Sequence, residues 1–331
     1  MKTKDKKELS CPICSNDINN KVIFAKEMYI GTRDVFKYIF CSSCQSLSIL
    51  NIPINLKYYY SKYPNLLYKK PKLNFFRKNI YKYLILKNNI ISKLLFKRLK
   101  AYDSLPFKSL HKYKISKTSK ILDVGCGNGS FIEHLVKLGY KNAVGIDPFI
   151  SYKNISSRIQ KKNIFEIEEK YNLIMFNHSF EHQPNLDHIC KKLDEILAPK
   201  GLCIIRMPNI ESQSFRIFKE YWEGIHAPFH LRLPSRKGMK ILFKNTTLEL
   251  VENRNEQPFP LFFFSHNYRK DIANNDHNSA RIFFEKKRRF KKRPPLISKE
   301  DFKYWKNQIK TIDNTQSSDY IVYYYQKKCT H

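Results

Sequence analysis

Three groups of residues in this 331-residue chain have types and spacings that could do chemistry. The first is Gly125, Gly127 and Gly129, set between Asp123 and Asp147. Glycines so placed let the backbone turn tightly and bring its N–H groups close to a ligand, because no Cβ stands in the way. They follow the apolar run Ile121, Leu122 and Val124, which suits a strand buried on both faces of a parallel sheet. They open a helix from about Ser130 to Leu138, with Phe131, Leu135 and Leu138 on one face. Ala143 to Ile146 read as the next strand, and Asp147 at its tip is where a carboxylate can accept both hydroxyls of a ribose. The second group is Cys11, Cys14, Cys41 and Cys44, two C-x-x-C knuckles about 26 residues apart, each able to point two thiolates at one tetrahedral ion. The third is His182, His226 and His230, of the side-chain type whose ordinary pKa suits proton removal near neutral pH.

The glycine spacing separates two nucleotide readings. A dinucleotide fold wants G-x-G-x-x-G, which would need glycine at Ser130. The chain instead has G-x-G-x-G with Asp123 two residues ahead of it, and in this it resembles motif I of the class I S-adenosylmethionine (SAM) methyltransferases. The resemblance implies an α/β, Rossmann-like sheet of seven strands with the last one antiparallel. It implies SAM as cofactor, held by Asp123, Gly125, Cys126, Gly127, Gly129 and Asp147, with Asn177 and Glu181 at a later strand end in position for chemistry or cofactor contact. In that family the segment Asn177-His-Ser-Phe-Glu-His182 sits over the sulfonium; the alternative for Glu181 and His182 is a helix cap. The segment with Trp222, Pro228, His230 and Ser235 resembles glycan-associated methyltransferases, with His226 standing where their pattern has Asp.

Elements that must position these groups are legible along the chain. Lys21 to Lys26 and Phe36 to Phe40 read as strands between the cysteine pairs, giving a zinc-ribbon-like module over 1–60 whose Zn(2+) is structural, since four thiolates leave no open position. The tyrosines at 58, 59, 60 and 63 read as packing residues. A basic helical linker over 61–117, centred on Leu73 to Leu105, suits packing or an anionic lipid surface. The catalytic domain is placed at 118–331, with a third strand near Asn163 to Ile167, a fourth at Tyr171 to Phe176, a fifth at Leu202 to Arg206 and the last at Asp319 to Gln326. Residues 255–316 read as an insertion carrying an aromatic patch and the basic run Glu285 to Arg293, which is either solvated or phosphate-binding.

The formal charge of +32 suggests an anionic partner, but lysine here comes with abundant Asn, Ile, Tyr and Phe, the signature of an AT-rich coding sequence. The first ten residues are charged and lack an apolar core, and no stretch is long and apolar enough for a membrane span. The expectation is therefore a cytoplasmic protein, with peripheral contact at the inner face of the membrane. Its eight cysteines are metal ligands or free thiols there. The resemblances imply a methyltransferase acting on a sugar-nucleotide, glycolipid or glycan acceptor in surface-polysaccharide or related biosynthesis, with oxygen favoured over carbon. The proton acceptors rank His230, His182, His226. Two alternatives stand beside it: an RNA methyltransferase, and a non-catalytic scaffold at a membrane surface.

Overall fold

The computed structural model describes residues 9–62, 81, 105–150, 155–258, 260–287, 292–312 and 316–328. Most of the linker expected to centre on Leu73 to Leu105, and residues 288–291 of the basic run Glu285 to Arg293, lie outside the described residues. Among the described residues no helix is long and apolar enough to cross a membrane.

The chain forms two compact units. One gathers the N-terminal segment through Tyr63 with Asn177–Asp194 and Ile204–Tyr325; the other holds Pro64–Phe176, Glu195–Cys203 and Gln326–His331. The strands are β1 (Lys21–Lys26), β2 (Val35–Phe40), β3 (Leu47–Ile49), β4 (Ile121–Val124), β5 (Ala143–Ile146), β6 (Ile159–Gln160), β7 (Tyr171–Asn177), β8 (Leu197–Pro208), β9 (Arg232–Leu233), β10 (Leu248–Glu256) and β11 (Tyr320–Lys327). Seven of them make a mixed sheet in the order β10-β11-β8-β7-β4-β5-β6, the α/β Rossmann-like methyltransferase arrangement. β4 is buried at every residue and pairs in parallel with β5 on one side and β7 on the other, so its unalternated apolar run has a direct cause. Its C-terminal residue Val124 lies level with Ile146 and Phe176, which puts the glycine turn at the carboxyl edge of the parallel strands.

The helix after the turn runs Ser130–Lys137, with Ile132, His134 and Leu135 buried and Gly139 at a φ of 103° just beyond its end. The third strand is not where it was expected. Ile159–Gln160 form β6, while Asn163 starts a one-turn 3-10 helix over Ile164–Glu166. There the Asn163 side chain accepts from the Phe165 N–H and Glu166 reaches back to the Asn163 N–H, a reciprocal cap that outweighs the apolar alternation of this short run.

The N-terminal hairpin folds as read, with Lys21 opposite Phe40 and Lys26 opposite Val35. Its sheet is completed from far along the chain: β3 pairs antiparallel with β9, Leu47 against Leu233. Ala25, Tyr38, Leu47 and Ile49 share one core with Phe218, Trp222, Phe262, Phe263 and Trp305. Three short strands bury too little apolar surface to stand alone. Borrowing β9 and the aromatic helix Leu261–Arg269 supplies it, at about 1.5–3 kcal/mol for each large side chain buried. The expected insertion is thus the other half of this core, built as helices Leu261–Arg269, Ala280–Lys287 and Lys299–Ile312.

Candidate functional sites

The glycine turn is held from inside. The N–H groups of Gly125 and Cys126 both donate to the Ile146 carbonyl, at 2.8 and 3.0 Å. Gly127 N–H donates to Asp147 Oδ2 at 3.0 Å, and Asp147 Oδ1 accepts from Phe149 N–H at 2.8 Å. Gly125, Gly127 and Gly129 have φ of 73°, 55° and 75°, a region that side-chain-bearing residues rarely adopt. A Cβ on Gly129 would collide with Ile159, whereas one on Gly127 would meet no protein atom within 4 Å. The turn therefore offers open space at Gly127 beside a carboxylate at the tip of β5, and these residues fit the methionine and ribose portions of SAM. The Cys126 side chain lies against Gly145, where an added Cβ would come within 2.8 Å of its Sγ. Asp123 and Asp147 are both buried. Burial, then the charge of Asp147, pushes the Asp123 carboxyl up to about 7. Burial also raises Asp147, opposed by the two backbone N–H groups it accepts from.

A second polar cluster lies in the other unit, around Glu181. This carboxylate is fully buried, and neither oxygen takes a hydrogen bond from another of the described residues. Its Oε1 lies 3.6 Å from His178 Nδ1 and 3.8 Å from His230 Nε2. His230 is oriented from behind by a 2.8 Å contact between Nδ1 and the Gly224 carbonyl, so its proton sits on Nδ1 and the Nε2 lone pair faces the carboxylate. His182 Nδ1 is 2.8 Å from the Tyr60 hydroxyl. The rings of His182 and His226 lie 4.9 and 4.8 Å from that of His230. All three residues ranked as proton acceptors are therefore brought together, along with His178. Burial drives His178, His182 and His226 well below the usual histidine range and His230 down to about 4, so the rings are neutral. Burial pushes Glu181 up to about 8, opposed by its own backbone N–H and by Arg206. Asn177 stands aside from the cluster, its Oδ1 accepting from Arg206 at 3.2 Å. Tyr60 reads from sequence as one packing tyrosine among several; only the fold, by setting it against His182, marks it out.

The four cysteines converge as the spacing predicts. Cys11 Sγ is 3.6 Å from Cys44 Sγ, and Cys14 Sγ is 3.5 Å from Cys41 Sγ. A tetrahedral ion with metal–sulfur bonds of about 2.3 Å needs sulfurs roughly 3.8 Å apart. The donor set and its spacing thus fit zinc.

Residues 97–253 match the family described as Methyltransferase domain. Among curated proteins, the chain is 27% identical over 121 residues to a ubiquinone biosynthesis O-methyltransferase of Pelagibacter ubique, covering 33% of this chain and 50% of that protein. It is 39% identical over 150 residues to the human EEF1A lysine methyltransferase 2, covering 38% of this chain and 61% of that protein. The match thus spans between half and two thirds of those relatives' length. Among solved structures, a SAM-dependent methyltransferase from Archaeoglobus fulgidus aligns at 17% identity and a TM-score of 0.39, over 71% of this chain and 99% of that one. A cyclopropane synthase from Mycobacterium tuberculosis aligns at 13% identity and a TM-score of 0.40, over 77% and 99%. With the glycine turn, the buried β4 and the seven-strand order already in place, residues 97–253 carry a class I SAM-dependent methyltransferase domain.

Proposed function

We propose that the protein transfers a methyl group from SAM to a hydroxyl oxygen of a sugar or glycan intermediate. The observation that carries the reading is the buried cluster of neutral imidazoles around Glu181, which includes His230, His182 and His226. A sugar hydroxyl is a poor nucleophile at neutral pH and needs a positioned proton acceptor, whereas an amine that is already neutral needs none. SAM supplies an electrophilic methyl on a sulfonium. On this chain, Asp147 would accept the ribose hydroxyls, the open face at Gly127 would take the methionine portion, and Asp123 would hold its ammonium. His230 is the first choice of proton acceptor and His182 and His226 follow it, because one ring nitrogen of His230 lies 3.8 Å from the Glu181 carboxylate while the other is fixed by the Gly224 carbonyl.

The remaining assignments belong to the same reading. Cys11, Cys14, Cys41 and Cys44 hold one structural zinc. The acceptor is a sugar nucleotide, glycolipid or glycan handled in the cytoplasm, including at the inner face of the membrane. The RNA reading draws on the charge of +32, yet β7 ends in Asn-His-Ser-Phe-Glu-His rather than in the Pro-Pro-aromatic signature that grips a planar base amine. The test is incubation of the purified protein with methyl-labelled SAM and a lysate separated into small molecules, glycolipid or polysaccharide, protein and RNA. Label in a sugar-containing fraction supports the reading. Label in RNA or protein replaces it, and no label with no SAM binding favours the scaffold.

A further inference from the structure

We infer that Glu181, His182 and His230 form a binding site for a divalent transition-metal ion, whose open positions take oxygen ligands from the acceptor. The acceptor half of this inference rests on the function proposed above; the metal half rests on geometry alone.

One ligand atom from each of the three residues lies within 4.8 Å of the other two. A shell with bonds of about 2.1 Å needs ligand atoms roughly 3.0–3.5 Å apart. His230 Nε2 and Glu181 Oε1, at 3.8 Å, are nearly there, so a modest inward movement closes the set. Both imidazoles are held in the way that metal-binding histidines are held, with the second ring nitrogen engaged by an outer partner. For His230 that partner is the Gly224 carbonyl, and for His182 it is the Tyr60 hydroxyl, each at 2.8 Å. In His230 this leaves Nε2 to coordinate; the His182 ring also hydrogen-bonds the Phe229 backbone, a contact the ion would replace.

The backbone fixes the spacing. Leu231 N–H donates to the Glu181 carbonyl at 2.8 Å, and the Tyr38 hydroxyl donates to the His230 carbonyl at 3.1 Å. Two segments far apart in sequence are thereby clamped with their donors facing each other. Glu181 is the second, independent sign. A fully buried carboxyl group that no other of the described residues hydrogen-bonds is costly to ionise unless a cation compensates it, and uncharged rings cannot do that. A divalent ion does.

Two imidazoles and one carboxylate suit zinc, manganese or iron(II), and three protein ligands leave positions open. The cysteine site differs in kind, since four thiolates close the shell. Neighbouring oxygens of a polyhydroxylated acceptor are hard ligands that fit the open positions, and coordination would select which hydroxyl is presented and make it more acidic. With the ion bound His230 is a ligand, and the role of proton acceptor passes to His226, whose ring lies 4.8 Å from it.

Manganese(II) is the probe, because it favours nitrogen and oxygen over thiolate and so leaves the cysteine site silent. The full chain, as purified, is titrated with Mn2+ while the free-ion electron paramagnetic resonance signal is followed. The expected result is one Mn2+ per chain, with affinity reduced at least tenfold in Glu181→Gln and in His230→Gln. Zinc beyond one per chain in the purified protein, lost in Glu181→Gln, would count equally for the site. Glu181→Gln keeps the size and shape of the buried side chain and is expected to fold; its melting temperature should not respond to Mn2+, whereas that of the unaltered chain should rise. Absence of saturable Mn2+ uptake and of such extra zinc, or uptake unchanged in both variants, would overturn the site. Sugar labelling that persists in chelator, from protein that takes up no Mn2+, would overturn the metal and leave the proposed activity standing. Mn2+ uptake by a protein that labels only RNA or protein would overturn the acceptor assignment alone.

Discussion

His230 Nε2 lies 3.8 Å from Glu181 Oε1, while the other nitrogen of the same ring is 2.8 Å from the Gly224 carbonyl. The ring is thus locked in one tautomer and aimed at a buried carboxylate, an arrangement a merely packed histidine does not need. His230→Ala should lower kcat by about 100-fold or more, the usual range for loss of a positioned acid–base group. SAM affinity should change little, because the residues assigned to SAM are those of the glycine turn. Turnover and calorimetry on the same preparation check both halves. A loss of SAM binding equal to the loss of rate would assign His230 to the cofactor.

Asp147 holds the glycine turn and, in the proposed function, takes the ribose, and the two roles separate under substitution. Its Oδ2 accepts from Gly127 N–H and its Oδ1 from Phe149 N–H, and it lies at the end of β5, where the proposed function puts the ribose. Asp147→Ala should weaken SAM binding by about 10- to 100-fold, the loss expected for hydrogen bonds to a charged group. Asp147→Asn keeps an acceptor for the turn and should lose less. Calorimetric titration with SAM decides; unchanged affinity in the alanine variant would remove Asp147 from the cofactor site.

Asp123 predicts a pH effect whose sign follows from burial. Its carboxyl is raised from 3.8 to about 7 in the folded chain, by burial first and the Asp147 charge second. The folded state therefore binds this proton more tightly than the unfolded state. The contribution to stability is fully present below about pH 4 and is lost as pH rises to about 7, at up to about 1.4 kcal/mol per pH unit. Asp123→Asn should remove that slope, so its stability relative to the unaltered chain is greater at pH 8 than at pH 5. Urea unfolding at the two pH values tests it, and parallel curves would mean that Asp123 stays ionised in the folded chain.

The four-cysteine cluster is tied to the rest of its unit through Ser46 and Ser235. Ser235 Oγ donates to the Cys44 carbonyl, and Ser235 N–H donates to Ser46 Oγ at 3.0 Å, just ahead of helix Arg236–Leu242. Cys41→Ser should release the zinc and lower the melting temperature of the whole unit. Metal analysis showing one zinc per chain still bound would rule out the four-cysteine site.

Gly238 gives an independent check of the same junction. A Cβ there would press on Ser46 Oγ and lie 3.3 Å from Pro234 Cβ. Gly238→Ala should destabilise by about 1–2 kcal/mol, as overpacking outweighs the gain in helix propensity. A denaturant midpoint equal to or above that of the unaltered chain would show that the contact relaxes.

By itself the sequence determined the features whose signals are local. An unalternated apolar run specifies β4, since only a strand covered on both faces tolerates it. Three glycines at the required spacing specify the turn, because the backbone there adopts φ values closed to other residues. Two C-x-x-C knuckles specify a four-thiolate site, because each fixes the direction of its own pair. Local signals failed at Asn163, where a side-chain cap outcompeted the strand pattern. They could not reveal that β3 is completed by β9, nor that the aromatic run at 261–264 forms one core with the N-terminal hairpin. Strand pairing and core packing join segments nearly 200 residues apart, and nothing in either segment alone records its partner. The surroundings of Glu181 are the sharpest case. As a residue type in a strand-end loop it reads as a cofactor contact or a cap. Only the tertiary structure buries it, brings His178, His182 and His230 around it and sets Tyr60 behind one of them, and burial then raises its pKa.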